Sequence, residues 1–167
     1  IAGVLFALIQ PPPPPTPMAV SNQPTMAVQA GEPLGQVVES NAATLTENEQ
    51  PQPLLAGVSF GTGERTVLET SLGGRIVLQF NDGSQVWVGE NSKVHIVRDA
   101  QQGVILELEK GKVLMHSASL KVTNSYRQYW GWAMEGGTIG ITANPEQGVF
   151  LIDCVGGTGS CYFQGPQ

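Results

Sequence analysis

The sequence predicts an all-β fold, a sandwich or β-roll of short, mostly antiparallel strands, preceded by an apolar segment and a Pro-rich linker. Three observations predict it. Apolar and polar residues alternate in several runs, turn residues recur about every ten positions, and no stretch holds a 3.6-residue period long enough for a core helix. Twenty-one glycines suit the many turns of such a fold.

The strongest local signal is R-I-V-L-Q-F-N-D-G-S-Q-V-W-V, residues 75–88. Ile76, Leu78 and Phe80 alternate with Arg75, Val77 and Gln79. Asn81 to Ser84 supplies a tight turn that tolerates positive φ, and Val86 and Val88 return on the next strand. This predicts a hairpin. Val94 and Ile96 continue the period, Asp99 to Gly103 reads as a turn, and Val104, Leu106 and Leu108 follow. Lys110-Gly111 reads as a further turn before a strand over 112–116. Upstream, 34–39 and 54–60 read as short strands, with Thr44-Leu45-Thr46 and a polar, Pro-containing bend at 47–53 between them.

The beginning of the chain has another character. Residues 1–9 are wholly apolar, about half the length needed to span a bilayer. They read as the outer end of a transmembrane helix, as a remnant of a signal-peptide core, or as a buried segment of the domain. Five prolines at 11–15, with Pro17 and Pro24, impose an extended polyproline spacer. The competing reading of that tract is a ligand for a proline-recognition module. The expected organisation is thus an apolar segment over 1–10, a linker over 11–32 and one β domain over 33–167.

Charge and composition exclude several functions. The net charge is −6, and all eight basic residues lie from Arg65 onward among nine acids. Without a basic stripe, nucleic-acid binding lacks its main source of affinity. The acidic balance also disfavours a loose polybasic hold on anionic lipid. His95 and His116 have no Cys, Ser or Asp at a triad or metal-ligand spacing, and read as partly exposed strand histidines. Asp82 is accounted for by its turn. The Gly-rich stretches at 136–138 and 156–159 lead into no helix carrying Lys-Ser/Thr, so they are not phosphate loops. No calcium loop is present in the sequence. No cofactor and no catalytic residue is therefore expected.

Cys154 and Cys161 flank V-G-G-T-G-S, a loop flexible enough to fold back as a hairpin and join the sulfurs. A disulfide would imply an oxidising compartment; two unpaired thiols is the alternative. Tyr126, Tyr129, Trp130 and Trp132 fall within seven residues. On a strand, Tyr126, Trp130 and Trp132 share one face. Exposed, these rings would stack on sugars or anchor a protein; buried, they would fill the core. Trp87 alternates with Val86 and Val88, so it points away from their face and is a further candidate.

Residues 60–96 resemble the FecR domain family. The resemblance rests on the D-G-S turn Asp82-Gly83-Ser84, the turn Gly89-Glu90-Asn91-Ser92, the L-x-x-G-x-V segment containing Gly111, and Gly137-Thr138-Ile139 further on. Residues 35–38 and 54–57 are similar to the family's opening strands. The resemblance extends over roughly 34–163. Residues 125–134, with their aromatics, depart from the plain Val/Thr-rich strand of the family. The resemblance implies a membrane-anchored, extracytoplasmic β domain, periplasmic or at the cell surface. Such a domain on a spacer is expected to bind, signal or scaffold without catalysis, presenting a surface or sheet edge to a protein partner or another copy of itself. The aromatics leave a glycan-binding module of the cell envelope as the alternative.

Overall fold

The computed structural model describes residues 31–47, 49–117, 119–124, 127–133, 136–156 and 161–165. The apolar run and the Pro tract lie outside these. The described residues form β1 (Gly35–Glu47), β2 (Gln50–Pro53), β3 (Ser59–Phe60), β4 (Arg65–Phe80), β5 (Gln85–Val88), β6 (Lys93–Asp99) and β7 (Gly103–His116). They continue with β8 (Lys121–Asn124), β9 (Trp130–Ala133), β10 (Thr138–Asn144), a 3-10 turn (Pro145–Gln147), β11 (Val149–Gly156) and β12 (Cys161–Gln164). The all-β expectation holds. Pairing is antiparallel throughout, except for β7 with β8.

The architecture follows from three long strands that serve two layers. The first part of β4 pairs with β6, from Arg65 opposite Val97 to Glu69 opposite Lys93. Its second part pairs with β5, from Ile76 opposite Val88 to Gln79 opposite Gln85. β7 does the same, with Val104 to Lys110 against β6 and Val113 to His116 against β5. β1 follows β4 along its length, with irregularities between Val37 and Glu39 and between Asn41 and Ala43. One layer is therefore β2-β1-β4-β6-β7-β8-β9-β12, and the other is β3-β1-β4-β5-β7-β10-β11. The shared strands close the barrel-like core on one side.

That core alternates as the sequence predicts. Val37, Leu68, Ile76, Leu78, Val86, Val88, Val94, Ile96, Leu106 and Leu108 are buried between the layers. Phe60 meets Phe80 edge to face, with centroids 5.0 Å apart. Such ring packing adds to area burial.

Shared strands must bend, and the sequence marks where. Ala42, Gly73 and Gly111 all have positive φ. Lys110-Gly111 is thus a kink inside β7 and not the expected turn between two strands. Glycine there lets the strand change layer without reversing. The turn at Gly89 to Ser92 sits at the same corner, carrying the chain from β5 in one layer to β6 in the other.

Ser92 is fully buried there. Its amide donates to Thr70 Oγ1 at 2.9 Å, and its Oγ accepts from the Lys112 amide at 3.0 Å. Thr70 Oγ1 in turn donates to Gly89 O at 2.6 Å. Gly111 lies against this serine, where a Cβ would come within 2.1 Å of Ser92 Oγ and 2.5 Å of Ser92 Cα. Asn91, at the tip of the turn, has φ 50°. The G-x-N-S and L-x-x-G-x-V motifs are therefore two halves of one contact.

The D-G-S turn has a second polar clip. Ser84 donates from its amide to Asp82 Oδ1 and from Oγ to Asp82 Oδ2, both at 2.9 Å. Ser119 Oγ also donates to Asp82. Ser117 Oγ, 3.2 Å from Ser84 Oγ, accepts the Leu120 amide at 2.6 Å. These bonds tie the β4–β5 turn to the connection between β7 and β8.

Three other expectations need correction. The bend at 47–53 contains β2, which pairs back on β1 from Thr44 opposite Pro53 to Glu47 opposite Gln50. As an edge strand, β2 tolerates its two prolines. Of the strand expected over 54–60, Ser59–Phe60 is regular, because the chain turns at Ala56-Gly57. The loop between Cys154 and Cys161 does not connect a paired hairpin, since β11 pairs with β10 and β12 pairs with β9.

The corner predicts a graded response to substitution. Gly111→Ala combines a forced left-handed residue with a clash, and should lower stability by about 2–4 kcal/mol. Ser92→Ala should cost about 1–3 kcal/mol by leaving the Lys112 amide without its acceptor. Gly57→Ala, at φ 84° with nothing within 4 Å, isolates the backbone cost and should lose about 1–2 kcal/mol. Urea denaturation midpoints measure all three. An effect at Gly111 no larger than at Gly57 would show that the steric contact is unimportant.

Candidate binding surfaces

The outward face of the β4–β6–β7 layer carries a connected set of charges. Glu107 on β7 is buried and receives Arg65 Nη2 at 3.1 Å and Arg127 Nε at 2.8 Å. Arg127 also reaches Asp99 at 3.3 Å. His95 on β6 stands between them. Arg65 has donors alone, so His95 Nδ1 accepts from it (2.9 Å to Nη2), and Nε2–H donates to Glu109 Oε2 at 2.8 Å. Lys93 bridges Glu69 and Glu109, each at 3.2 Å. His95 is thus buried, where the sequence reading expected partial exposure, because neighbouring strands cover it with charged side chains. His116 is half-buried and lies 3.1 Å from Thr138 Oγ1. Among the described residues no group of His, Cys, Asp and Glu is arranged to hold a metal.

The network shifts its members. Hydrogen bonds from the Gln101 and Gln102 amides hold the Asp99 carboxyl below its ordinary value, and Arg127 adds to this. Burial pushes Glu109 up, but hydrogen bonds from His95 and Lys93 outweigh it and leave a net lowering. Hydrogen bonds to Glu69 and Glu109 raise Lys93.

The aromatic residues divide between separate places. Trp130 and Trp132 lie on β9, opposite Thr123 and Lys121 of β8, so they share one outward face. Both are half-buried and line a groove of about 290 Å³ with Gln102, Lys121 and Gln164. Trp130 Nε1 donates to Arg127 O at 2.9 Å. Gly131 between them faces inward, where a Cβ would stand 2.9 Å from Ile152 Cδ1 of β11. Tyr129 does not join the pair. It stacks on Phe150 at 5.9 Å, bringing the β8–β9 connection against β11. Tyr126 lies outside the described residues. Trp87 is on the other layer, half-buried in a groove of about 660 Å³ with Arg75, Lys112 and Asp153.

Sequence reasoning missed the edge strand β11. Among the described residues its one ladder partner is β10, from Ile139 opposite Cys154 to Asn144 opposite Val149. Val149, Leu151 and Val155 are 43%, 50% and 58% exposed. The alternation V-F-L-I-D over 149–153 was the available signal, hidden because apolar residues occupy both faces. Cys154 lies on this strand. The Cys161 side chain lies outside the described residues, so the expected pairing stays an expectation. Gly137 is buried before β10, and Thr138 opens it.

Bent strands shared between two layers, and polar clips at their corners, define an all-β domain whose signature residues are structural. Residues 66–127, from β4 through β8 to Arg127, match the family model described as FecR protein. The matched stretch carries the D-G-S, G-x-N-S and L-x-x-G-x-V motifs on which the resemblance to this signalling-related family rests. The match includes both clips and, apart from Arg65, the Glu107 network, and ends before the tryptophan pair and β11. No curated protein and no solved structure matches the chain. No helix among the described residues is long and apolar enough to cross a membrane.

The charge network predicts a pH dependence. Carboxyls with lowered folded-state values stabilise fully above their ordinary range and lose that contribution as pH falls through the folded values. Urea stability should thus decline as pH is lowered below about 4. Asp99→Asn should flatten part of that decline. An unchanged acid limb in this variant would remove Asp99 from the account.

Proposed function

We propose that this chain is a non-catalytic binding domain of a signalling or scaffolding system, acting through protein–protein contacts. In this reading residues 1–10 belong to a membrane or signal segment, 11–32 form a spacer, and 33–167 form the domain held outside the cytoplasm. The observation that carries the reading is the β11 edge, which offers exposed apolar side chains and a row of backbone groups. Added strands bind such edges through main-chain hydrogen bonds. The signalling-related character of the matched family supports it, as does the use of the motif residues in corners and turns.

A second reading rests on the Trp130–Trp132 face. Two tryptophans on one face, beside Lys121, Gln102 and Gln164, suit a polyhydroxylated ring, with the indoles stacking and the amides and ammonium bonding hydroxyls. This would make the domain a glycan-binding module of the cell envelope.

One experiment separates the two. A photo-crosslinking amino acid is placed at position 151, at 132, or at 57 as a control, and the chain is irradiated with envelope fractions. The protein-binding reading expects a discrete protein adduct at 151 and none at 57. Adducts carrying saccharide at 132 alone would favour the glycan module. Indistinguishable patterns at all positions would count against both.

A further inference from the structure

We infer that the β11 edge accepts an extended strand from a different polypeptide, one that is basic opposite Asp153 and apolar on its other face, and that a second copy of this chain is not the occupant. The inference deepens the protein-binding reading and rests on it.

The two layers protect their edges unequally. β2 carries Pro51 and Pro53, which interrupt the donor row that a neighbouring strand would need. β11 has no proline and no lysine, and Asp153 is its one charge. At roughly 3.3 Å per residue its eight residues offer an edge of about 26 Å, enough for a short strand. In an antiparallel ladder, alternate residues turn their backbone groups away from the existing partner.

The register with β10 assigns the faces. Ile139, Ile141 and Ala143 are buried, so their partners Cys154, Ile152 and Phe150 face inward. Phe150 and Ile152 pack against the core. Val149, Leu151 and Asp153 face outward, opposite Asn144, Thr142 and Gly140. A strand laid along β11 would therefore meet an apolar inward row and an outward row with a single acid. The first asks for apolar residues at alternate positions, and the second for a cation near Asp153.

A second copy supplies no such cation. Two β11 strands related by a two-fold axis pair antiparallel with residues of the same face opposite each other. Centred on Leu151, this sets Val149 against Asp153. Centred on Ile152, it sets Leu151 against Asp153. Centred on Asp153, it sets the two acids together. Each register opposes Asp153 with an apolar residue or another carboxylate, between chains that each carry a net charge of −6. Like charges directly opposite destabilise a strand pair. A cationic partner reverses both penalties.

The test uses the full chain and three labelled peptides. One is Thr-Val-Thr-Val-Lys-Val-Thr-Val-Thr, the second has Glu in place of Lys, and the third copies residues 149–156 with Ser for Cys. Binding is read by anisotropy, the place of binding by amide hydrogen exchange, and self-association by sedimentation. The lysine peptide should slow exchange within 149–155 and bind roughly fivefold more tightly than the glutamate peptide. Asp153→Lys should invert that order, and Asp153→Asn should abolish it. If β11 is protected equally by both charged peptides, or if the order survives in Asp153→Lys, the basic partner is wrong while edge binding stands. A concentration-dependent dimer broken by Leu151→Lys would make the second copy the occupant and overturn the inference. Failure of every peptide to protect β11 would overturn the inference together with the reading beneath it.

Discussion

The contact of Ser92 with Gly111 is the constraint on which the two-layer arrangement depends. A strand that serves two sheets must bend, and a bend removes backbone groups from their ladder partners. The Lys112 amide is such a group, and Ser92 Oγ accepts it at 3.0 Å. Thr70 performs the matching task on β4, accepting the Ser92 amide at 2.9 Å and donating to Gly89 O. The serine can sit this close because residue 111 has no side chain. With the corner held, β5 and β6 stack on opposite sides of it, and β4 and β7 pass from one layer to the other. The closed side of the core follows from that contact, while β11 lies at the far end of its layer, beyond β10.

Much of the fold was legible because β-strand periodicity reports burial. Ile76, Leu78, Val86 and Val88 alternate cleanly, and they are the residues buried between the layers. The D-G-S turn was legible for a similar reason: Gly83 has φ 90°, and Asp82 bonds the residue two positions on. Gly111 was misread because a glycine with positive φ looks the same in sequence whether the strand reverses or only changes layer. The distinction is tertiary, lying in Ser92 twenty residues upstream. The prolines of β2 hid a strand that an edge tolerates. His95 was misread because its cover comes from Arg65, Glu107 and Glu109 on neighbouring strands.

The candidate surfaces were less legible than the fold. Trp130 and Trp132 do share a face, as a period of two requires, but Tyr129 turns to stack on Phe150 and Trp87 sits on the other layer. The candidate aromatics thus divide into two surfaces, at Trp130–Trp132 and at Trp87, and a packing contact at Tyr129. The most exposed apolar row, on β11, drew no notice in the sequence because Val149 to Ile152 reads as core. Position at the end of a sheet, not composition, makes it a surface. Its charge is equally positional: Asp153 faces outward because Ile152 faces Gly131 of the opposite layer.

The most direct test of the open-edge account is native-state hydrogen exchange of the full chain without any partner. Strands shared between layers should exchange by global unfolding, so amides of β4 and β7 at the corner should be the slowest. Along β11, protection should alternate, with every second amide exchanging near its intrinsic rate because it points away from β10. That pattern is the result the account predicts. Uniform protection along β11, equal to that of β4 and β7, would mean the edge is already occupied and would contradict it.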